Sequence, residues 1–296
     1  KLDAHGQKLS HEFVRGLMRS PASLHYEEVQ EAMDGNPNER TAALLEPVIK
    51  PLYAAYTALV EARQLRQPLE LNLPERQIVL GDDGTVQSVN FKDRLDAHKL
   101  IEELMVLANV AAAETLIAKK TAQLFRVHEE PSTEKLNALR ETASATGLNL
   151  ARGQVLQTSH LNRLLAQAAG TDDEELINLT TLRCMTQAYY SPTNFGHFGL
   201  ALKSYAHFTS PIRRYSDLIV HRALVTSHGW GDDGLTPADV DELEQTATHI
   251  SDTERRSMMA ERDTTDRYLA SYLSERVGEE FTGRINGIAK FGMFIK

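Results

Sequence analysis

The stretch HFGLALKSYAHFTSPIRRYSDLIVH, residues 197–221, is the most informative in the chain. Its middle, Tyr205 to Tyr215, gathers aromatic, hydroxyl and basic side chains around one proline. Pro211 has no backbone N–H and disfavours helix at Ser210 before it, yet it suits the first position of a helix that follows. From Ile212 onward, Leu218, Ile219, Ala223 and Leu224 recur at helical spacing. The pattern predicts a loop, Thr209 or Ser210 as N-cap, and a helix from about Pro211. Arg213 and Arg214 then fall in a first helical turn, where cations oppose the macrodipole. Two readings stay open. In one, an anion resolves the conflict, and the two guanidiniums, free amides and hydroxyls form a phosphate site. In the other, the arginines are surface groups paired with Asp217, one turn on.

Around this stretch the composition is that of a globular protein: 42% hydrophobic and 25% charged over 296 residues. The single cysteine, Cys184, excludes an internal disulfide, suits a reducing cytoplasm, and reads as a small buried hydrophobe in a helix. No apolar run is long enough to span a membrane and no signal peptide is evident. A cytoplasmic protein is expected. The chain opens on Lys1, so it reads as part of a longer protein. A net charge of −9 excludes a wholly basic nucleic-acid binder but not a local groove. Within 203–222, Lys203, Arg213, Arg214 and Arg222 stand against Asp217 alone. An acidic shell with a basic channel is compatible with a threaded strand.

Taken in order, the chain predicts a helix starting near Tyr26, a surface loop over 34–40, and a long amphipathic helix from Leu44 to Arg63 whose first turns Pro47 and Pro51 break or kink. Gln77–Leu80 and Val86–Phe91 flank Gly81-Asp-Asp-Gly84 as a β-hairpin. Asp93–Lys120 is the strongest helix, with Glu102 and Glu103 in its middle. Adjacent helical positions point about 100° apart, so both cannot face one site equally. Leu124–His128 reads as a strand. Helices follow to about Thr146 (N-cap Ser132, stop at Gly147), over 159–169 (capped by Ser159) and over 173–189. A capping box at Thr236 opens a charged helix that runs to about Arg276. After a boundary at Val277-Gly278, strand alternation surrounds Gly287.

The segment 197–221 resembles the signature of the RNase II/RNase R family of exoribonucleases, the RNB domain. The matching residues are His197-Phe198-Gly199-Leu200, Tyr205, Phe208 through Tyr215, Asp217 and His221. The resemblance extends to Asp96-Ala-His-Lys-Leu-Ile-Glu-Glu103 and Phe125-Arg-Val-His128, covers nearly the whole chain, and lies nearer the RNase R branch. It implies an α+β fold: the mostly helical C-terminal portion of an RNB catalytic domain over 1–277, with a mixed β-sheet. Residues 278–296 resemble the first strands of an S1 domain of OB type, with Phe291 and Phe294 as base-stacking candidates.

The activity so implied is processive hydrolysis of single-stranded RNA from the 3′ end, releasing nucleoside 5′-monophosphates. Arg213 matches the residue that offsets charge on the reacting phosphate. Tyr26 matches the tyrosine packed on the terminal nucleotide, and one of the glutamates, with Glu103 favoured over Glu102, lines the cavity near the RNA end. Arg214, Tyr215, Ser210, Thr209, Tyr205 and His197 are the further RNA-binding candidates. Leu71 stands near where the family carries a stacking aromatic. The implied cofactor is Mg²⁺, but Asp82-Asp83, Asp172-Asp173 and Asp232-Asp233 each lack the family's context. The spacing of His197, His207 and His221 fits no zinc pattern. In the family the metal ligands come from a clustered Asp motif, which the resemblance puts upstream of residue 1, so the segment alone is expected to be inactive. Expected partners are single-stranded RNA and, in the same protein, the rest of the RNB domain with cold-shock and S1 domains. The alternatives are a non-catalytic RNA-binding relative that lost its metal site and, more weakly, a helical scaffold.

Overall fold

The computed structural model describes residues 1–73, 75–151, 155–283, 285–289 and 292–295. Helices dominate. In chain order they are α1 (Tyr26–Met33), α2 (Glu39–Leu44), α3 (Lys50–Arg66), α4 (Asp96–Ala118), α5 (Thr133–Ala145), α6 (Thr158–Ala168), α7 (Glu174–Cys184), α8 (Tyr215–His228), α9 (Pro237–Asp241) and α10 (Leu243–Ser274). The strands are β1 (Arg76–Leu80), β2 (Val86–Phe91), β3 (Phe125–Val127), β4 (Tyr189–Ser191), β5 (Ile285–Ala289) and β6 (Gly292–Ile295). They pair as β1–β2, β3–β4 and β5–β6, each pair antiparallel. The expected mixed sheet is thus replaced, among the described residues, by three two-stranded pairs. The parallel element is one isolated bridge between His128 and His197.

Several local expectations hold for the reasons that suggested them. Glu28 closes the start of α1 by accepting from the His25 amide at 2.6 Å. Ser132 caps α5 through the Lys135 amide, and Gly147 follows that helix with φ +75°. Thr236 and Asp239 form the capping box that opens α9. The hairpin pairs Arg76 with Phe91 and Leu80 with Val86.

Others need correction. The helix predicted from Leu44 is interrupted by a π turn, Leu45–Ile49, in which the Lys50 amide reaches back to the Leu45 carbonyl. Pro47 and Pro51 lack the amides that a regular ladder would use there, so the turn widens. The cap of α6 is Gln157, not Ser159, with the Gln157 amide donating to His160 Nδ1. The helix predicted over 173–189 stops at Cys184 because Tyr189–Ser191 is taken as a strand by β3. The helix after Pro211 begins only at Tyr215.

Two cores form. One joins α4, α8 and the start of α10 to β3 and β4, around Leu116, Val127, Tyr190, Ile219, Val220 and Leu224. The other is the three-helix group α5–α7, built on Leu139, Leu161, Leu164 and Ile177, with Cys184 buried in it. Burial pushes the Cys184 thiol up, as befits an inert core group. Leu69, Leu71 and Phe198 lean on this second core and join it to the site. The N-terminal turn is seated on α3 through Gly6, whose φ is +73° and where a Cβ would stand 2.2 Å from the Ala58 carbonyl oxygen. Gly6→Ala combines a left-handed backbone with a clash against main chain. We expect a loss of at least about 2 kcal/mol, read as a lowered urea midpoint.

Candidate active site

Two fully buried acceptors shape the loop before α8. Asn109, on α4 and 1% exposed, accepts from the amides of Phe208 (2.8 Å) and Thr209 (3.2 Å). Its side-chain amide donates to the Tyr205 hydroxyl at 2.9 Å. Asp217, 0% exposed on α8, accepts from the Ser210 amide at 2.7 Å, from Arg214 at 2.7 and 2.8 Å, and from the Ser216 hydroxyl at 3.0 Å. Burial opposes the Asp217 charge. The Arg214 guanidinium and the Ser210 amide outweigh it and hold the carboxyl below the ordinary carboxylate value. His221 donates from Nε2 to the Phe208 carbonyl at 2.9 Å and stacks on the Phe208 ring at 4.3 Å. The helix therefore starts late because Asp217 reaches back to bind the loop, which a regular turn from Pro211 would not permit.

The two arginines differ in their surroundings. Arg214 is the paired one, clamped bidentately on Asp217 and half-buried. Arg213 is exposed, and its side chain has no hydrogen bond or ion pair among the described residues. Tyr215 projects outward beside it as the first residue of α8. Tyr205 is buried between the His197 and His207 rings. Ser210 and Thr209 take part through their amides, and the Thr209 hydroxyl is buried without a partner among the described residues.

Helix α4 carries the remaining candidates. Near its start His98 stacks on Tyr26 at 4.2 Å, leaving that tyrosine 42% exposed. One turn on, the two glutamates part company. Glu103 is 4% exposed and turns toward α3, where Arg63 Nη1 lies at 2.6 Å and Arg66 Nη2 at 3.6 Å. Glu102 faces the rim, pairs with Arg94, and stands 3.9 Å from Arg63. Both glutamates line a cavity of about 510 Å³ with Leu71, Arg94 and Leu200. Asn109 lies six residues beyond Glu103, roughly 9 Å along the axis. Tyr26, the glutamates and the arginine loop are thus indexed to a single helix. The cavities lined by the glutamates do not include Arg213 among their lining residues.

Sequence reading passed over Asn109, Arg63, Arg66 and His98. An asparagine amid Leu104–Ala113 is a polar break in an apolar stripe, and Arg63 and Arg66 sit one turn apart at the end of another. Both signals were present. For a divalent cation the donor set does not fit: no group of three or more His, Cys, Asp or Glu side chains converges among the described residues. Glu103 and Asp217, the buried carboxylates at the site, are each spent on arginine.

Beneath the loop lie three histidines. His128 and His197 accept the Gly199 and Leu200 amides on Nδ1, at 2.9 and 3.2 Å, so each neutral ring carries its proton on Nε2. Burial, then His128 and Arg126, lowers His197 to about 3. Burial and Arg214 act likewise on His207, whose Nδ1 meets the Tyr190 hydroxyl at 2.9 Å. Unfolded histidine titrates near 6.5, so between about pH 3 and 6.5 the unfolded chain holds more protons. Stability is complete above that window and drains as pH falls through it. We expect His197 alone to cost roughly 2 kcal/mol at pH 5 relative to pH 7, seen as a lower melting temperature. His197→Asn should flatten the profile. Equal melting temperatures at pH 5 and pH 7 in the unsubstituted chain would contradict this.

The fixed loop thus leaves one exposed arginine, Arg213, whose side chain has no partner among the described residues. A family model described as the RNB domain matches residues 1–227, and the chain belongs to that family. It is 37% identical to Ribonuclease R of Vibrio cholerae over 98% of its own length, and 35% identical to Ribonuclease R of Escherichia coli over all of it. It spans about 37% of the length of those relatives. Mycoplasma genitalium RNase R in complex with ribose-methylated single-stranded RNA superposes on 91% of the chain, and 43% of that structure is covered, with a TM-score of 0.83 and 30% identity. Yeast Ssd1, described as a pseudonuclease, shares the fold at a TM-score of 0.56 and 22% identity. No helix among the described residues is long and apolar enough to cross a membrane.

Proposed function

We propose that this chain is the C-terminal portion of the catalytic domain of a processive 3′-to-5′ exoribonuclease that hydrolyses single-stranded RNA to nucleoside 5′-monophosphates. The observation that carries the reading is the division of labour in the arginine pair. Arg214 is consumed in fixing the loop, while Arg213, held by a rigid backbone, keeps its planar fork free. A guanidinium so placed matches phosphate oxygens two at a time and offsets charge as it builds on the phosphorus. In this reading Tyr26 packs against the terminal nucleotide, and Tyr215 and His197 flank the strand. Glu103 holds Arg63 and Arg66 in place. Leu71, leaning on the α5–α7 core, gives an apolar wall without a stacking face.

In this reading a divalent metal, Mg²⁺, would activate the attacking water. Its carboxylates are proposed to come from outside these 296 residues, because those at the site are already bound to arginine. Residues 278–296, with the β5–β6 pair, are proposed as the opening of an S1 domain. Phe291, and the side chain of Phe294, lie outside the described residues. A second reading, an RNA-binding relative that does not cleave, is compatible with the described residues, among which no donor set converges. A 5′-labelled single-stranded RNA incubated with the full-length protein and Mg²⁺ separates the two. Stepwise shortening to a few nucleotides supports the exonuclease, binding without shortening supports the relative, and internal cuts oppose both.

A further inference from the structure

We propose that the cavity between the end of α3, the start of α6 and the turn at Phe198–Leu200 binds a nucleoside 5′-monophosphate, its phosphate on Arg66 and Lys203 and its base against the wall formed with Phe198. The cavity measures about 420 Å³, room for one nucleotide unit. Its charge is unusual for this chain. Arg66 and Lys203 line it and no Asp or Glu does, although the chain carries −9 overall. The three larger cavities described near the glutamates each include at least two carboxylates.

Arg66 is the telling group. Its Nε and Nη2 are buried without a hydrogen-bond partner among the described residues, and Glu103 stands too far off, at 3.6 Å, to supply one. Buried donors of this kind are normally satisfied. Burial pushes the Arg66 guanidinium below its ordinary value and Glu103 only partly offsets it, so the cation is incompletely compensated. Lys203 is exposed, and its ammonium has no partner among the described residues. The amides of Thr158 and Ser159, in the first turn of α6, are likewise without partners there. Leu65, Leu156, Phe198 and Leu202 supply the apolar side. Two cations suit the dianion of a phosphate monoester. The choice of a mononucleotide among such monoesters rests on the proposed function, whose product it is.

The test is a calorimetric titration of the 296-residue chain in EDTA with AMP, adenosine, inorganic phosphate and an oligoadenylate lacking terminal phosphates. AMP is expected to saturate one site, adenosine to bind at least ten-fold more weakly, and phosphate alone to bind more weakly than AMP. Lys203→Glu, on an exposed position that folding tolerates, should weaken AMP at least ten-fold without moving the melting temperature. Arg66→Gln should weaken AMP by a similar factor, with some loss of stability because Arg66 also faces the buried Glu103. Equal binding of adenosine and AMP overturns the proposal. So does phosphate binding as tightly as AMP, binding of the oligomer alone, or a Lys203→Glu chain that still binds AMP normally. The titration needs no hydrolysis. A full-length protein that fails to shorten RNA leaves it intact, and a failed titration leaves the exonuclease reading intact.

Discussion

Asp217→Ala will cost the fold about 3–5 kcal/mol, lowering the melting temperature by on the order of 10 °C. The carboxylate is fully buried and serves four hydrogen bonds at once, two from Arg214, one from the Ser210 amide and one from the Ser216 hydroxyl. Removing it leaves a half-buried guanidinium and a loop amide without partners, and unpaired buried groups cost more than the pair contributes. The loss should carry a pH signature. The Asp217 carboxyl is held below its unfolded value, so its contribution is present above that value and is lost as pH falls through the folded one. The variant should therefore be less sensitive than the parent at the acid end. Urea unfolding followed at several pH values checks both statements, and an unchanged midpoint at pH 7 would refute the first.

Arg213→Ala will do the reverse. The side chain is exposed and unpaired among the described residues, so stability should move by no more than about 0.5 kcal/mol. In the full-length protein the rate of RNA shortening should fall about a hundred- to a thousand-fold, the scale seen when a preorganised donor to developing charge is removed. Arg213→Lys keeps the charge but not the fork and should recover only part of the rate. Arg214→Ala completes the comparison, since its effect should fall first on unfolding. Equal rate losses at 213 and 214 with no stability loss at 214 would show that the two arginines do not divide the work.

The sequence made the loop legible as a unit because proline, hydroxyls and arginines stand within eight residues of one another. Helix α4 was legible because its apolar stripe is long. Caps at Ser132 and Thr236 needed only local residues, and both formed as read. Where the reading fell short, long-range partners decide. Arg214 and Arg213 look alike in the sequence and are told apart by a carboxylate buried in the next helix. Asn109 meets residues about a hundred positions away, and Arg63 meets Glu103 forty positions on. The start of α8 was placed four residues early because local preference at Pro211 yields to Asp217. The mixed sheet was carried over from family likeness, without a strand pattern in this chain to support it.

The common mounting of three site components on α4 has a consequence for how the chain can change over time. Length variation is tolerable in the surface turn at 34–37, before the Asn38 cap of α2, or at the hairpin tip. Between His98 and Asn109 it is not. One inserted residue would rotate everything beyond it by about 100° and swing the asparagine away from the loop it steadies. Variation there is confined to substitution, because rotational phase along that rod is what keeps Asn109 on the Phe208 and Thr209 amides.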